Sequence, residues 1–123
     1  MYLRNQIALL ILPLLFFSGC GPDTIFVRPA LDTPAQHVQN GYSFLSRGKI
    51  DAASDEFQRA ISLDDRFAPA YVGLGLVQGH RGDFEAGFEA LARARQVATG
   101  AEETAAVQHG LERLKEMQAA SHQ

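Results

Sequence analysis

The sequence predicts an all-α domain behind an N-terminal export segment, and three observations support this. After residue 34 the apolar residues recur with the 3.6-residue period of an amphipathic helix. The stretches around Gly48 and Gly82 match each other at a constant offset of 34 residues, which indicates an internal repeat. Near the start of the chain, residues 7–17 form an apolar run interrupted only by Pro13. The 123 residues are enough for one domain.

Residues 1–19 are typical of a secretory signal peptide. Arg4 supplies a positive charge ahead of the apolar run. That run is too short to cross a bilayer as a helix, which requires about 20 apolar residues. We therefore predict export and cleavage rather than a membrane-spanning helix.

The end of this signal carries a possible lipid-attachment sequence. Phe17, Ser18 and Gly19 precede Cys20, the only cysteine of the chain. The arrangement resembles a bacterial lipobox, with Phe17 in place of the usual leucine. The resemblance implies cleavage before Cys20, lipidation of its sulfur and acylation of the new amine, which together suffice for stable membrane anchoring. Enterobacterial lipoproteins retained in the inner membrane tend to have aspartate after the cysteine, so by this resemblance Gly21 favours the outer membrane, facing the periplasm, over the inner membrane. The alternative is an ordinary signal peptide with an incidental cysteine.

Residues 20–33 are predicted to be a lipidated cysteine followed by an extended tether. Pro22 and Pro29 disfavour helix, and the segment has no helical period. Residues 25–27, Ile-Phe-Val, are more apolar than a solvated linker needs. They either pack on the domain or act as a docking strand.

Five helices follow, and their starts and ends are marked by the sequence. Thr33 is a candidate N-cap with Pro34 at the first helical position. Gly48 and Gly82 each end a helix. The predicted helices cover residues 35–47, 50–63, 69–80, 83–98 and 102–120. The last one carries a single apolar stripe made of Val107, Leu111, Leu114 and Met117.

The two matched stretches also share a pattern of small and large residues. The second carries Ala70, Tyr71, Leu74, Gly75, Gly82, Asp83, Phe84, Leu91 and Ala94. The first keeps Gly41, Phe44, Gly48, Ala53, Phe57 and Ala60. Over residues 34–101 the chain therefore resembles the tetratricopeptide repeat (TPR) family. The resemblance implies two helical hairpins, residues 34–67 and 68–101, and a capping helix over residues 102–121, in a short right-handed superhelix.

Four positions depart from the family pattern, and one of them is Asp65, where the family favours proline. His37 and Asn40 occupy sites where the family usually has large apolar side chains, and we expect His37 on a face open to solvent. Gly87 replaces the usual alanine, and a glycine inside a helix costs about 1 kcal/mol. Two repeats are few for a continuous core, so the last helix, self-association or a partner has to complete it.

The resemblance also places a concave, partner-binding surface along the first helix of each hairpin. The predicted lining residues are Val38, Tyr42, Leu45, Val72, Leu76 and His80, with Ser46 and Gly79 beside them. Relatives that bind the C-terminal carboxylate of chaperones carry lysine and asparagine at such positions, so that carboxylate clamp is not expected here. An apolar groove suits a hydrophobic peptide, an amphipathic helix or a second copy of the domain. Alternatively, the last helix or the tether covers it.

Neither nucleic-acid binding nor catalysis is expected. The formal net charge is −3, and no basic cluster is present. The four histidines, His37, His80, His109 and His122, lack the spacing of a zinc site. The neighbouring carboxylates at 55–56 and 102–103 point apart on a helix. His80 near Asp83 is better explained as a loop histidine. No cofactor is expected other than the lipid on Cys20.

The sequence therefore predicts a membrane-anchored scaffold that binds a protein partner. Small lipoproteins of the TPR family include factors for pilus biogenesis, secretin targeting and outer-membrane protein assembly. By analogy, we expect a role in assembling or stabilising a cell-envelope complex of this type. The alternative is an accessory subunit or regulator of a periplasmic cell-wall enzyme.

Overall fold

The computed structural model of the protein describes residues 32–123, and five α-helices make up most of this part of the chain. They are α1 (Pro34–Ser46), α2 (Ile50–Leu63), α3 (Ala68–His80), α4 (Phe84–Val97) and α5 (Gly100–Ser121). Each predicted helix boundary lies within two residues of the observed one. The predicted signal peptide, Cys20 and nearly all of the tether lie outside the described residues.

Local sequence signals explain where the helices begin and turn. The Thr33 hydroxyl accepts a hydrogen bond from the Gln36 backbone N–H at 3.2 Å, with Pro34 at the first helical position, as predicted. Gly48 and Gly82 have φ values of 71° and 79°, in the left-handed region that favours glycine. Each follows the end of the first helix of a hairpin, so the 34-residue repeat reproduces the same tight turn.

Phe57 of α2 joins the first hairpin to the helix that follows it. The side chain is fully buried. A Cβ built on Gly41 of α1 would lie 2.7 Å from the Phe57 ring, and one built on Gly73 of α3 would lie 2.1 Å from it. The ring therefore fills the space that two glycines leave open, one on each neighbouring helix. The surrounding core cluster contains Val38, Ala53, Ala60, Ala70 and Val77.

The second hairpin closes through a contact between two glycine backbones. A Cβ on Gly75 would lie 3.0 Å from the carbonyl oxygen of Gly87, and a Cβ on Gly87 would lie 3.0 Å from that of Gly75. Gly75 therefore marks a close approach of α3 and α4. The expectation for Gly87 was incomplete, because its missing side chain makes room for the facing backbone as well as lowering helix propensity.

Helix α5 caps the second hairpin. Leu114 is fully buried and lies where Cβ atoms on Gly79 and Gly87 would be, at 2.6 and 2.9 Å. Gly110 faces Leu91 of α4 and Val72 of α3 in the same way. The helix order and pairing are consistent with two TPR-like hairpins and a capping helix, and α5 supplies the cover that two repeats lack.

Candidate interaction surface

The structure divides the six predicted groove residues into core and surface. Val38 and Val72 are 8% and 4% exposed and belong to the two core clusters. Neither side chain is therefore available to a partner, which corrects the prediction that Val38 and Val72 line the groove. Helices α1 and α3 do pack against each other, so the other four positions lie on neighbouring helices. Their role in binding stays a prediction.

Tyr42 is the most prominent of the four. It keeps 39% of its surface exposed, although its ring packs edge-on against Phe57 with centroids 5.2 Å apart and an interplanar angle of 75°. Loss of water around the phenol raises the pKa of Tyr42 above its ordinary value, so the hydroxyl stays neutral at physiological pH. The residue thus presents a rigid aromatic edge with a polar tip, a combination enriched at protein interfaces.

Leu45 and Leu76 supply further apolar surface. They differ in whether they pack against a core cluster. Leu45 is half-buried against the first core cluster. Leu76 is also half-buried, yet within residues 32–123 it belongs to neither core cluster. His80 is exposed one helical turn beyond Leu76, at the end of α3.

Helix α5 occupies part of the predicted groove. It packs on α3 at two of the predicted lining positions, Val72 and Gly79. This packing agrees with the alternative in which the last helix covers part of the groove. Tyr42, on α1, remains partly exposed. The alternative cover, by residues 25–27, lies in the part of the chain that the structure does not describe.

A second concave region lies between α4 and α5, and sequence reasoning missed it. A cavity of about 560 Å³ is lined by Phe88, Leu91, Ala92, Arg95, Gln96 and Leu111. A neighbouring cavity of about 390 Å³ shares Arg95 and Leu111 with it. The sequence signal that could have indicated this region is Phe88, an aromatic residue on the same helix as Leu91 and three positions before it. Only the placement of α5 shows that Phe88 and Leu111 line the same depression.

A network of polar side chains surrounds His37, which was expected on an open face. The side chain is only 16% exposed. Its Nδ1 lies 2.7 Å from Glu56 Oε2 and its Nε2 lies 2.8 Å from Asp32 Oδ1. Asn40 donates to the same Glu56 oxygen at 3.2 Å. The two departures from the repeat pattern, His37 and Asn40, thus have one structural explanation, because both bind the carboxylate of α2.

Asp83 and Glu56, each a member of a pair considered for catalysis, have structural partners. Asp83 accepts a hydrogen bond from the Ala86 backbone N–H at 3.1 Å and caps α4. Glu56 is engaged by His37 and Asn40. Among residues 32–123 no group of three or more His, Cys, Asp or Glu side chains could hold a metal ion. None of the helices in this range combines the length and apolarity needed to cross a membrane.

The chain shows limited similarity to known proteins. No protein-family model matches the chain, and no solved structure matches it. Cellulose synthase 2 operon protein C of Komagataeibacter xylinus is 42% identical to this chain over 59 residues. The similarity covers 44% of this chain but 4% of that protein, so the chain spans a small part of its relative's length.

Proposed function

We propose that this protein is a membrane-anchored TPR lipoprotein that binds a protein partner and supports assembly or stability of a cell-envelope complex. It acts as a non-enzymatic scaffold without a cofactor other than its lipid. The pairing of helices into two hairpins and a cap supports the TPR part of the proposal. The likeness to a cellulose synthase operon protein favours an envelope complex, such as one that makes or exports a polysaccharide, beside the pilus, secretion and outer-membrane types.

The observation that carries the binding function is the exposure of Tyr42 on α1, together with half-buried Leu45 on the same helix and Leu76 on the helix that packs against it. A large aromatic residue held rigidly by Phe57 and partly in solvent is a typical anchor for an interface. Leu45 on α1 and Leu76 on α3 add partly exposed apolar side chains, so the proposed surface fits an apolar segment of a partner, either an extended peptide or one face of an amphipathic helix.

Site-specific photo-crosslinking in the native host tests this surface. A photoreactive residue at Tyr42 is expected to give a discrete adduct with a partner protein. Leu63 is the matched control, because it is 37% exposed but lies at the end of α2, away from the predicted groove. Adducts of equal yield at both positions would remove the support for a specific surface. The identity of the adduct distinguishes an envelope-assembly complex from a cell-wall enzyme.

A double substitution tests whether the same residues are needed. Tyr42→Asp with Leu76→Asp is expected to abolish partner capture and to preserve the helical circular dichroism. The Leu63→Asp variant is expected to retain capture. If the double variant unfolds, these residues belong to the core and the proposed surface is wrong.

Membrane fractionation of a Cys20 variant tests the proposed lipid anchor. The Cys20→Ala variant is expected to leave the membrane fraction, because it lacks the sulfur that carries the lipid. Unchanged pelleting with membranes after a high-salt wash would contradict the lipoprotein assignment. Incorporation of labelled palmitate into the wild-type protein, absent from the variant, would identify the modification directly.

A further inference from the structure

Both ring nitrogens of His37 contact carboxylates, and this sets its protonation state. Nδ1 lies 2.7 Å from Glu56 and Nε2 lies 2.8 Å from Asp32. A neutral imidazole has one N–H donor and one acceptor nitrogen, whereas the imidazolium has two donors. Both contacts are therefore satisfied together only when the ring is charged. Loss of its proton leaves a bare nitrogen facing one of the carboxylates.

Asp32 links the segment before α1 to α2. Asp32 precedes α1, and its second oxygen accepts a hydrogen bond from Arg59 Nη2 of α2 at 2.8 Å. His37 itself lies on α1 and reaches Glu56 on α2. The chain leading into α1 is thus held against α2 by His37 and Arg59 together.

The second repeat carries different side-chain contacts at the positions that correspond to His37 and Arg59. At the offset of 34, His37 corresponds to Tyr71 and Arg59 to Arg93. The Tyr71 hydroxyl donates to the backbone carbonyl of Asp65 at 2.8 Å, and Arg93 lies 5.8 Å over the Tyr71 ring. This arrangement holds the chain leading into α3 through a phenol hydroxyl. In the first repeat the corresponding residue is a histidine, the side chain whose charge ordinarily changes closest to neutral pH.

We propose that His37 is a proton-dependent clasp, which fixes Asp32 against α2 when the imidazole is charged and loosens it when the imidazole is neutral. Arg59 keeps a second contact with Asp32, so deprotonation loosens the segment without freeing it. The device is specific to the first hairpin, where the chain arrives from its N-terminal segment.

The electrostatic surroundings agree with this assignment. The hydrogen bond with Asp32 raises the pKa of His37 above its ordinary value, the bond with Glu56 adds to this, and burial opposes both. The hydrogen bonds from His37 and Arg59 lower the pKa of Asp32. Helix α1 carries no other charged side chain.

Helix α3, the other helix packed on α1, carries Tyr71 and His80 as its titratable groups, and neither contributes to the shift at His37. The ring therefore responds to the segment before α1 and to α2 alone. Both of these supply a carboxylate, and Arg59 acts on the ring through Asp32.

The clasp has a consequence for orientation at a membrane, and this consequence rests on the proposed anchoring. With Asp32 fixed on α2, the point at which the chain leaves the first hairpin towards a lipid at Cys20 would be fixed as well. The clasp itself does not depend on the anchor, so release of a Cys20→Ala variant and titration of His37 give independent answers.

Histidine NMR on the full chain in detergent micelles tests the clasp. His37 is expected to titrate at a higher pH in the wild type than in Asp32→Asn or Glu56→Gln. Each substitution should raise the acid dissociation constant of His37 roughly two- to fivefold, the range for partly exposed ion pairs. Tyr71→Phe, which removes the corresponding bond in the second repeat, should leave His37 unchanged. A His37 titration that is the same in the wild type and both carboxylate variants would overturn the proposal.

A second measurement reports the loosening itself. The heteronuclear NOE of the Asp32 amide is expected to fall as pH rises through the His37 titration, because one of its contacts is lost. In His37→Gln the same NOE is expected to be independent of pH. An Asp32 amide that keeps its order across the titration in the wild type would show that His37 does not act as a clasp.

Discussion

Gly75 and Gly87 face each other across the contact between α3 and α4, and each backbone occupies the space that a side chain on the other would need. A Cβ on either residue would lie 3.0 Å from the carbonyl oxygen of the other. Such a distance is tighter than nearly all real Cβ contacts. Leu114 of α5 packs on the same spot, 2.9 Å from a Cβ on Gly87. Three helices therefore meet where two side chains are missing.

Gly87→Ala is expected to destabilise the protein, against the prediction from helix propensity alone. Alanine gains about 1 kcal/mol over glycine inside a helix. The added methyl group meets a backbone oxygen, which cannot rotate away, and overpacking typically costs about 1–3 kcal/mol. We expect a net loss of about 1 kcal/mol in the free energy of unfolding, measured by urea denaturation.

Ala92→Gly in the same helix is the matched control for this substitution. Ala92 is exposed, so only helix propensity should act, with a loss of about 1 kcal/mol. If Gly87→Ala instead stabilised the protein by the amount that Ala92→Gly costs, the close contact between α3 and α4 would be wrong.

Phe57 and Gly73 are expected to show strong energetic coupling. A Cβ on Gly73 would lie 2.1 Å from Phe57 Cε1, so Gly73→Ala cannot be accommodated without movement of the ring. Phe57→Leu shortens the side chain and should relieve part of this clash. We expect the double variant to be more stable than the sum of the single effects predicts, by roughly 0.5–3 kcal/mol. Additive effects in a double-mutant cycle would show that the two residues do not touch.

Substitutions at Leu114 and Leu111 test whether α5 is part of the core or is only loosely attached. Leu114 is fully buried, and Leu114→Ala is expected to cost about 2–5 kcal/mol in the free energy of unfolding. Leu111 is half-buried at the edge of the α4/α5 cavity, so Leu111→Ala should cost less, below about 2 kcal/mol. Equal and small effects in chemical denaturation would mean that α5 does not belong to the core.

Stability is expected to depend on pH through His37 and Asp32, in opposite directions. The pKa of His37 is raised, so its contribution is complete below the ordinary histidine value and disappears as pH rises through the raised one. The pKa of Asp32 is lowered, so its contribution is present above the ordinary carboxyl value of 3.8 and disappears as pH falls through the lowered one. The clasp is therefore strongest in mildly acidic solution.

Thermal denaturation of the wild type and of His37→Gln measures this dependence. From about pH 6 to about pH 9, the melting temperature of the wild type should fall more than that of His37→Gln, which has no imidazole at position 37. The difference between the two proteins isolates His37 from the three other histidines. Parallel pH profiles would be inconsistent with a stabilising imidazolium.

The sequence by itself determined the helices, their order and their turns. Helix periodicity, the Thr33 cap and the left-handed glycines Gly48 and Gly82 are local properties, because each depends on residues within one or two helical turns. The 34-residue offset added the pairing of helices into two similar hairpins. The apolar stripe of α5 could also be predicted, because the apolar face of an amphipathic helix is buried against another part of the protein.

Only the tertiary structure decided which apolar residues remain at the surface. Val38 and Tyr42 lie one turn apart on the same stripe of α1, yet Val38 is buried and Tyr42 is 39% exposed. The partners of His37, likewise, are five residues away in Asp32 and nineteen away in Glu56. Burial and ion pairing of this kind depend on which segments the other helices bring alongside. The period of one helix cannot specify that, because it fixes which residues share a face but not how much of the face is covered.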